Sequence, residues 1–136
     1  MTVKKVILIG SGVRETYIAK RLFIDTNGEI AITVILTKRN PEISSYAKNI
    51  FLVNDFSLET FLCNSHIESF INKNFRDIDF AVIGPEQPLK EGFADFFESI
   101  GIRTIGPKMN LAKLETSKLY CREFLRKNRL SHLSPM

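Results

Sequence analysis

"VILIGSGVRETYIAKRL", residues 6–22, sets an apolar run, a Gly-Ser-Gly turn and a helical pattern in direct succession. Aliphatic residues without a polar break suit a strand covered on both faces, the situation of a parallel sheet. Strand, glycine loop and helix in that order recur where proteins hold a phosphate, because the first N–H groups of a helix have no partners within it. Gly10 and Gly12 match the first two glycines of the Gly-x-Gly-x-x-Gly dinucleotide fingerprint, but Glu15 stands in the third place. Which phosphate such a loop accepts is the question the rest of the chain must answer.

Outward from this stretch, β-rich runs at residues 3–10, 31–37, 49–54, 78–84 and 103–106 alternate with helical patterns. The helices are expected near 12–25, 57–73, 88–100 and 108–129, with a weaker one near 42–48. Ser57 is the expected N-cap of the second, with Glu59 in its first turn. Apolar positions slip phase between Phe61 and Ile67, which predicts a break near Asn64 and Ser65. The alternation predicts an α/β fold: a doubly wound, mostly parallel five-stranded sheet with helices on both faces. Such sheets bind ligands at the carboxyl ends of their strands, beside the switch point. Those ends fall at residues 10–12, 37–39, 54–55, 84–86 and 106–107.

A chain of 136 residues, 44% hydrophobic and 25% charged, is one globular domain that folds without a metal or disulfide. Cys63 and Cys121 form no Cys-x-x-Cys pair and are expected as ordinary buried thiols of a reducing compartment. No apolar run approaches the roughly 20 residues of a membrane span and no signal peptide fits the start, so a cytoplasmic location is expected. The net charge of +4 is concentrated at the end: residues 107–136 carry seven Lys or Arg against two Glu. Without interleaved aromatic residues this basic helix reads as a solvated face, and neither nucleic acid nor a membrane is an expected partner. His66 and His132 have no partners at metal or catalytic spacing.

Three loops carry candidate chemistry. In the first, Arg14 is suited to a charge-assisted contact with a phosphate; the alternative is a plain turn with Arg14 and Glu15 paired in solvent. The second run ends in Thr37-Lys38-Arg39 with no acid for a ribose, which disfavours NAD, although Lys38 and Arg39 suit the 2′-phosphate of NADP. In "VIGPEQPLKEG", residues 82–92, Pro85 and Pro88 hold Glu86 at the rim, either facing an amine or ribose or as a first-turn acid favoured by the helix dipole. On a wheel through 108–129, Leu111, Leu114, Cys121 and Leu125 form a stripe with Lys118 in its middle. That lysine either snorkels outward or reaches into a site.

Gly-Ser-Gly-x-Arg-Glu, Gly-Pro-Glu-x-Pro-Leu and Gly-Pro…Ala-x-Leu-Glu-x-Ser-Lys occur in that order. Together they resemble the N-terminal domain of phosphoribosylamine–glycine ligases, the small Rossmann-like, pre-ATP-grasp domain. The resemblance implies that Gly10, Ser11, Gly12, Arg14 and Glu15 floor a phosphoribosyl site. Glu86, held by Gly84 and Pro85, would meet the ribosylamine or product amide, and Lys118 would face nucleotide phosphates. The family joins glycine to 5-phosphoribosylamine with ATP and Mg2+. It implies a substrate-side domain over residues 1–107 and a hinge helix leading into an ATP-grasp domain over 108–136. Phosphoribosylamine or glycinamide ribonucleotide would be the ligand, and a separate ATP-grasp chain a partner. With no ATP-grasp domain in these residues, no catalytic residue or metal ligand is assigned, ATP and Mg2+ are not expected to bind tightly to this chain alone, and ligation by it alone is not expected.

The departures from the family pattern are specific. Val13 replaces a second glycine, Thr16-Tyr17 replaces His-Ala, and residues 37–41 replace a Pro-Gly-Asn-x-Gly loop. A Cβ at position 13 would obstruct a phosphate if positive φ were needed there. The stretch 57–79 is also longer than expected. An NADP-binding domain and a diverged, non-catalytic remnant of the ligase are the alternative readings.

Overall fold

The computed structural model of the chain describes residues 3–133. Strands β1 (Lys4–Ile9), β2 (Ile30–Leu36), β3 (Ala47–Leu52), β4 (Phe80–Ile83) and β5 (Arg103–Ile105) form one sheet in the order β3-β2-β1-β4-β5. All pairings are parallel, so the expected mostly parallel sheet is parallel throughout. Parallel neighbours need a crossover, and helices supply it.

The apolar runs become strands because both faces are covered. Val6 and Leu8 of β1 pack on one side with Val34 of β2, Ala19 of α1 (Val13–Asp25) and Ile43 of α2 (Pro41–Tyr46). Ile7 and Ile9 turn to the other side and meet α3 (Leu58–Leu62), α4 (Ser65–Asn74), α5 (Glu86–Lys90), α6 (Phe93–Ser99) and α7 (Met109–Thr116). Phe61 lies at the centre of that second layer with Phe93, Phe96 and Phe97 around it. Outside Phe61 and Phe96 an open cavity of about 460 Å³ separates α3, α4 and α6.

The break expected near Asn64 and Ser65 is present: Asn64 caps α4 by accepting from the His66 and Ile67 N–H groups. Two further helices expected as continuous are also divided. The 88–100 pattern splits at Gly92, whose φ of +89° an L side chain rarely adopts. The 108–129 pattern splits at Ser117, which is extended and caps α8 (Lys118–Lys127) through the Tyr120 N–H. A short 3-10 turn at Ser131–Leu133 ends the described chain. The weaker helix runs over Pro41–Tyr46 rather than 42–48, and β3 begins at Ala47. No helix among the described residues is long and apolar enough to cross a membrane.

Ser57 caps α3 as expected, accepting from the Thr60 N–H at 3.1 Å. Asp55 reinforces the turn by accepting from the Ser57 N–H at 2.8 Å, and that bond holds its carboxyl below the ordinary carboxylate value. A depressed folded-state pKa stabilises the fold above the unfolded-state pKa, and this contribution is lost as pH falls through the folded value. The stability gap between the wild-type chain and Asp55→Asn is therefore expected to close on acidification. Urea midpoints measured at descending pH check this, and a gap that persists in acid contradicts it.

Candidate functional site

β1 and β4 pair directly, so the loops that follow them meet at the carboxyl rim of the sheet, where β2 and β4 leave β1 on opposite sides. Gly10 leaves β1 with φ of +134° and donates its N–H to the Ile35 carbonyl at 3.1 Å. Gly84 leaves β4 and donates to the Ile9 carbonyl at 3.1 Å. Between these two glycines lies Glu15, only 4% exposed.

The glutamate folds back on its own loop. Its Oε2 accepts from the Gly12 N–H at 2.8 Å, with Gly12 as N-cap of α1 and Glu15 as its third residue. This is the back-reaching half of a capping box, which satisfies an N–H that the helix itself cannot. A Cβ on Gly84 would collide with Oε1 and lie 2.6 Å from Cδ of Glu15. One on Gly10 would collide with Cγ and lie 2.9 Å from Cδ of Pro85. The glutamate side chain thus occupies the space that side chains at 10 and 84 would need.

Arg14 crosses the rim instead of pairing with its neighbour: Nη1 donates to the Gly84 carbonyl at 2.9 Å. The alternative of an Arg14–Glu15 pair in solvent is therefore corrected, because one partner is tied to the β4 loop and the other is buried. The remaining guanidinium N–H groups are left for water or a ligand.

Ser11 is less free than a phosphate-binding serine would be. Its Oγ accepts from the Thr37 N–H at 2.8 Å and the Lys38 N–H at 3.3 Å, clamping the first loop to the end of β2. Asn40 completes the clamp: Nδ2 donates to the Ser11 carbonyl at 3.0 Å and to Thr16 Oγ1 at 2.9 Å, while Oδ1 caps α2 through the Ile43 N–H. Sequence reasoning missed Asn40 and Thr16, although Asn-Pro at a helix start is a legible cap signal. Val13 causes no strain. It is the first residue of α1, 88% exposed, and the positive φ falls on Gly10 instead.

Pro85 caps α5 and Glu86 is its exposed first residue, where the helix dipole favours a carboxylate. Both thus stand at the rim beside Gly84, and the Glu86 carboxylate makes no hydrogen bond among the described residues. Lys118 lies on α8, after the second of these loops in the chain. The break at Ser117 interrupts the predicted stripe: Leu111 is exposed, Leu114, Cys121 and Leu125 are half-buried, and Lys118 is the exposed first residue of α8. Lys38, Arg39, His66 and His132 are exposed as well. Cys63 is exposed and Cys121 half-buried, which corrects the expectation of two buried thiols; Cys63 caps the end of α3 in the outer layer, away from the sheet. Among the described residues no three His, Cys, Asp or Glu side chains are grouped to hold a metal ion.

The fold has a solved relative in the biotin carboxylase subunit of pyruvate carboxylase, with a TM-score of 0.56, 18% identity, and coverage of 92% of this chain and 27% of that one. Similar in sequence are the phosphoribosylamine–glycine ligases of Methanocaldococcus jannaschii (36% identical, covering 90% of this chain) and Pyrococcus furiosus (34% identical, covering 93%). The chain spans about a quarter of these relatives, 26% of each. The family model described as phosphoribosylglycinamide synthetase, N domain, matches residues 4–115, which include the whole sheet and both rim loops. The chain belongs to the phosphoribosylglycinamide synthetase N-domain family.

Proposed function

We propose that this chain is the substrate-side domain of an ATP-dependent ligase that joins glycine to 5-phosphoribosylamine in purine biosynthesis, and that it is inactive alone. The observation that carries the reading is the union of the two rim loops, Arg14 bonded to the Gly84 carbonyl and Glu15 filling the space between Gly10 and Gly84. This union makes one floor out of loops some 70 residues apart. The N–H groups in the first turn of α1 and the spare donors of Arg14 suit a terminal phosphate. Gly10, Ser11 and Gly12 shape the floor, and Glu86, presented by Gly84 and Pro85, faces the sugar amine or the product amide.

Lys118 is assigned to the nucleotide phosphates only together with an ATP-grasp domain, which would supply the Mg2+ ligands and the rest of the ATP pocket. The basic, uncovered helix α8 is where a separate ATP-grasp chain would dock. Its exposed Leu119 and Phe124 support that assignment.

Calorimetric titration with glycinamide ribonucleotide tests the reading. Arg14→Ala is expected to weaken binding by roughly tenfold or more, the worth of a hydrogen bond to a charged group. Glu86→Gln is expected to weaken it less, because an amide still offers an oxygen. Wild-type chain that binds no glycinamide ribonucleotide, or Arg14→Ala that binds as tightly, contradicts the reading.

A further inference from the structure

We propose that Glu15 sets the class of phosphate that the first loop accepts: its carboxylate bars a bridging diphosphate and leaves the outer end of α1 to a terminal phosphate. The barred half stands on the loop geometry alone. The accepting half rests on the phosphoribosyl reading above.

A dinucleotide loop works because its second glycine lets the backbone approach the pyrophosphate and its third lets helix and strand pack closely. Here both provisions are cancelled by one side chain. The Gly12 N–H already donates to Glu15 Oε2 at 2.8 Å, so it is not available to a ligand. The space over Gly10 and Gly84 holds the glutamate Cγ and carboxyl group. The same carboxylate places negative charge at hydrogen-bond range of the position that a diphosphate would occupy, where like charges repel. Burial at 4% exposure, with protein on three sides at Gly10, Gly12 and Gly84, prevents it from swinging out. Lys38 and Arg39 do not offset this. They follow β2 and are exposed, and they address a 2′-phosphate and not the diphosphate bridge.

The outer end of the helix is different. Val13 is open to solvent and the Arg14 guanidinium is anchored on the Gly84 carbonyl with donors to spare. A phosphate on a single ester bond reaches these groups without entering the space filled by Glu15. A diphosphate between two nucleosides cannot, because both of its ends continue into bulky groups.

Amide chemical shifts of the 15N-labelled chain, titrated with inorganic pyrophosphate, NADPH and ribose 5-phosphate at millimolar concentration, test both halves. In the wild-type chain the Gly12 and Gly84 amides are expected to stay in place with pyrophosphate and NADPH, whereas the Val13 and Arg14 amides move with ribose 5-phosphate. Glu15→Gln removes the charge and keeps the volume; Glu15→Gly removes both and restores the third glycine of the fingerprint. Pyrophosphate is expected to bind folded Glu15→Gly or Glu15→Ala roughly tenfold more tightly than the wild type, the scale of one charge-assisted hydrogen bond. Glu15→Gln isolates the charge, and Glu15→Ala, which empties the space and frees the Gly12 N–H, serves if Glu15→Gly fails to fold. Movement of the wild-type Gly12 amide with pyrophosphate overturns the exclusion, as does equal pyrophosphate affinity of the wild type and every folded Glu15 variant. No wild-type response to ribose 5-phosphate overturns the accepting half, and the phosphoribosyl reading with it, while the pyrophosphate arms still decide the exclusion.

Discussion

Gly84→Ala is expected to destabilise the chain by about 3 kcal/mol, the upper range for forcing atoms into filled space. The φ of Gly84 does not lie in the left-handed region, so the cost is steric and not conformational. The new methyl would strike Glu15 Oε1 and crowd its Cδ and Cγ at 2.6 and 2.7 Å. Neither side has room to give. Gly84 is held by its N–H on Ile9 and its carbonyl under Arg14, and Glu15 is backed by Gly10. The double variant Gly84→Ala/Glu15→Ala should recover much of the loss, because the two changes share one volume and their effects do not add. Urea unfolding of the four proteins measures this coupling. Additive losses would mean that the glutamate does not fill the space beside Gly84.

Phe61→Ala is expected to cost about 3 kcal/mol, the lower part of the range for truncating a buried aromatic residue. Phe61 is 1% exposed, with ring centroids 4.9 Å from Phe93, 5.8 Å from Phe96 and 5.9 Å from Phe97. Tilted and edge-on rings add roughly 0.5–1.5 kcal/mol each beyond their buried area. The loss stays at the lower end because the neighbouring open cavity lets water and side chains relax into the gap. The five-residue helix α3 is too short to persist by itself, so this ring is also what fastens it to α6. Thermal and urea melts of Phe61→Ala and Phe61→Leu check the magnitude, with the leucine variant retaining more than half of the lost stability. An alanine variant as stable as the wild type would mean that α3 is held by other contacts.

The central strands β1, β2 and β4 were legible because burial on both faces writes itself as unbroken aliphatic runs such as VILI and FAVI. The break before α4 was legible because the apolar phase changes there. The divisions at Gly92 and Ser117 were not foreseen, although a glycine and a capping serine stood in plain view. Helical periodicity continued through them, and a wheel drawn across Ser117 joined Leu111, which is exposed on α7, to the half-buried Cys121 and Leu125 of α8. At the rim, the sequence marked Gly10, Gly12, Gly84 and Glu86 as neighbours and flagged the missing third glycine. It did not reveal that Glu15 folds back to fill the space between them, since that depends on β4 arriving from 70 residues away. The spacing from Gly12 to Glu15 was nevertheless that of a capping box, the one local hint of the outcome. The exposure of Cys63 was illegible, because composition speaks only to averages.

The order β3-β2-β1-β4-β5 puts β1, which precedes its four partners in the chain, in the middle of the sheet. On one side β1 meets β2 after a single crossover, with Lys4 opposite Ile30; on the other it waits for β4, with Val6 opposite Phe80. Contacts between such distant residues close late, since loop entropy must be overcome before they form. During synthesis, therefore, the glycine loop and α1 exist for some time with one wall missing, and Glu15 is sealed in only when Gly84 docks. The rim is thus complete only once the chain has reached β4, and its readiness for a ligand reports that the first and fourth strands have paired.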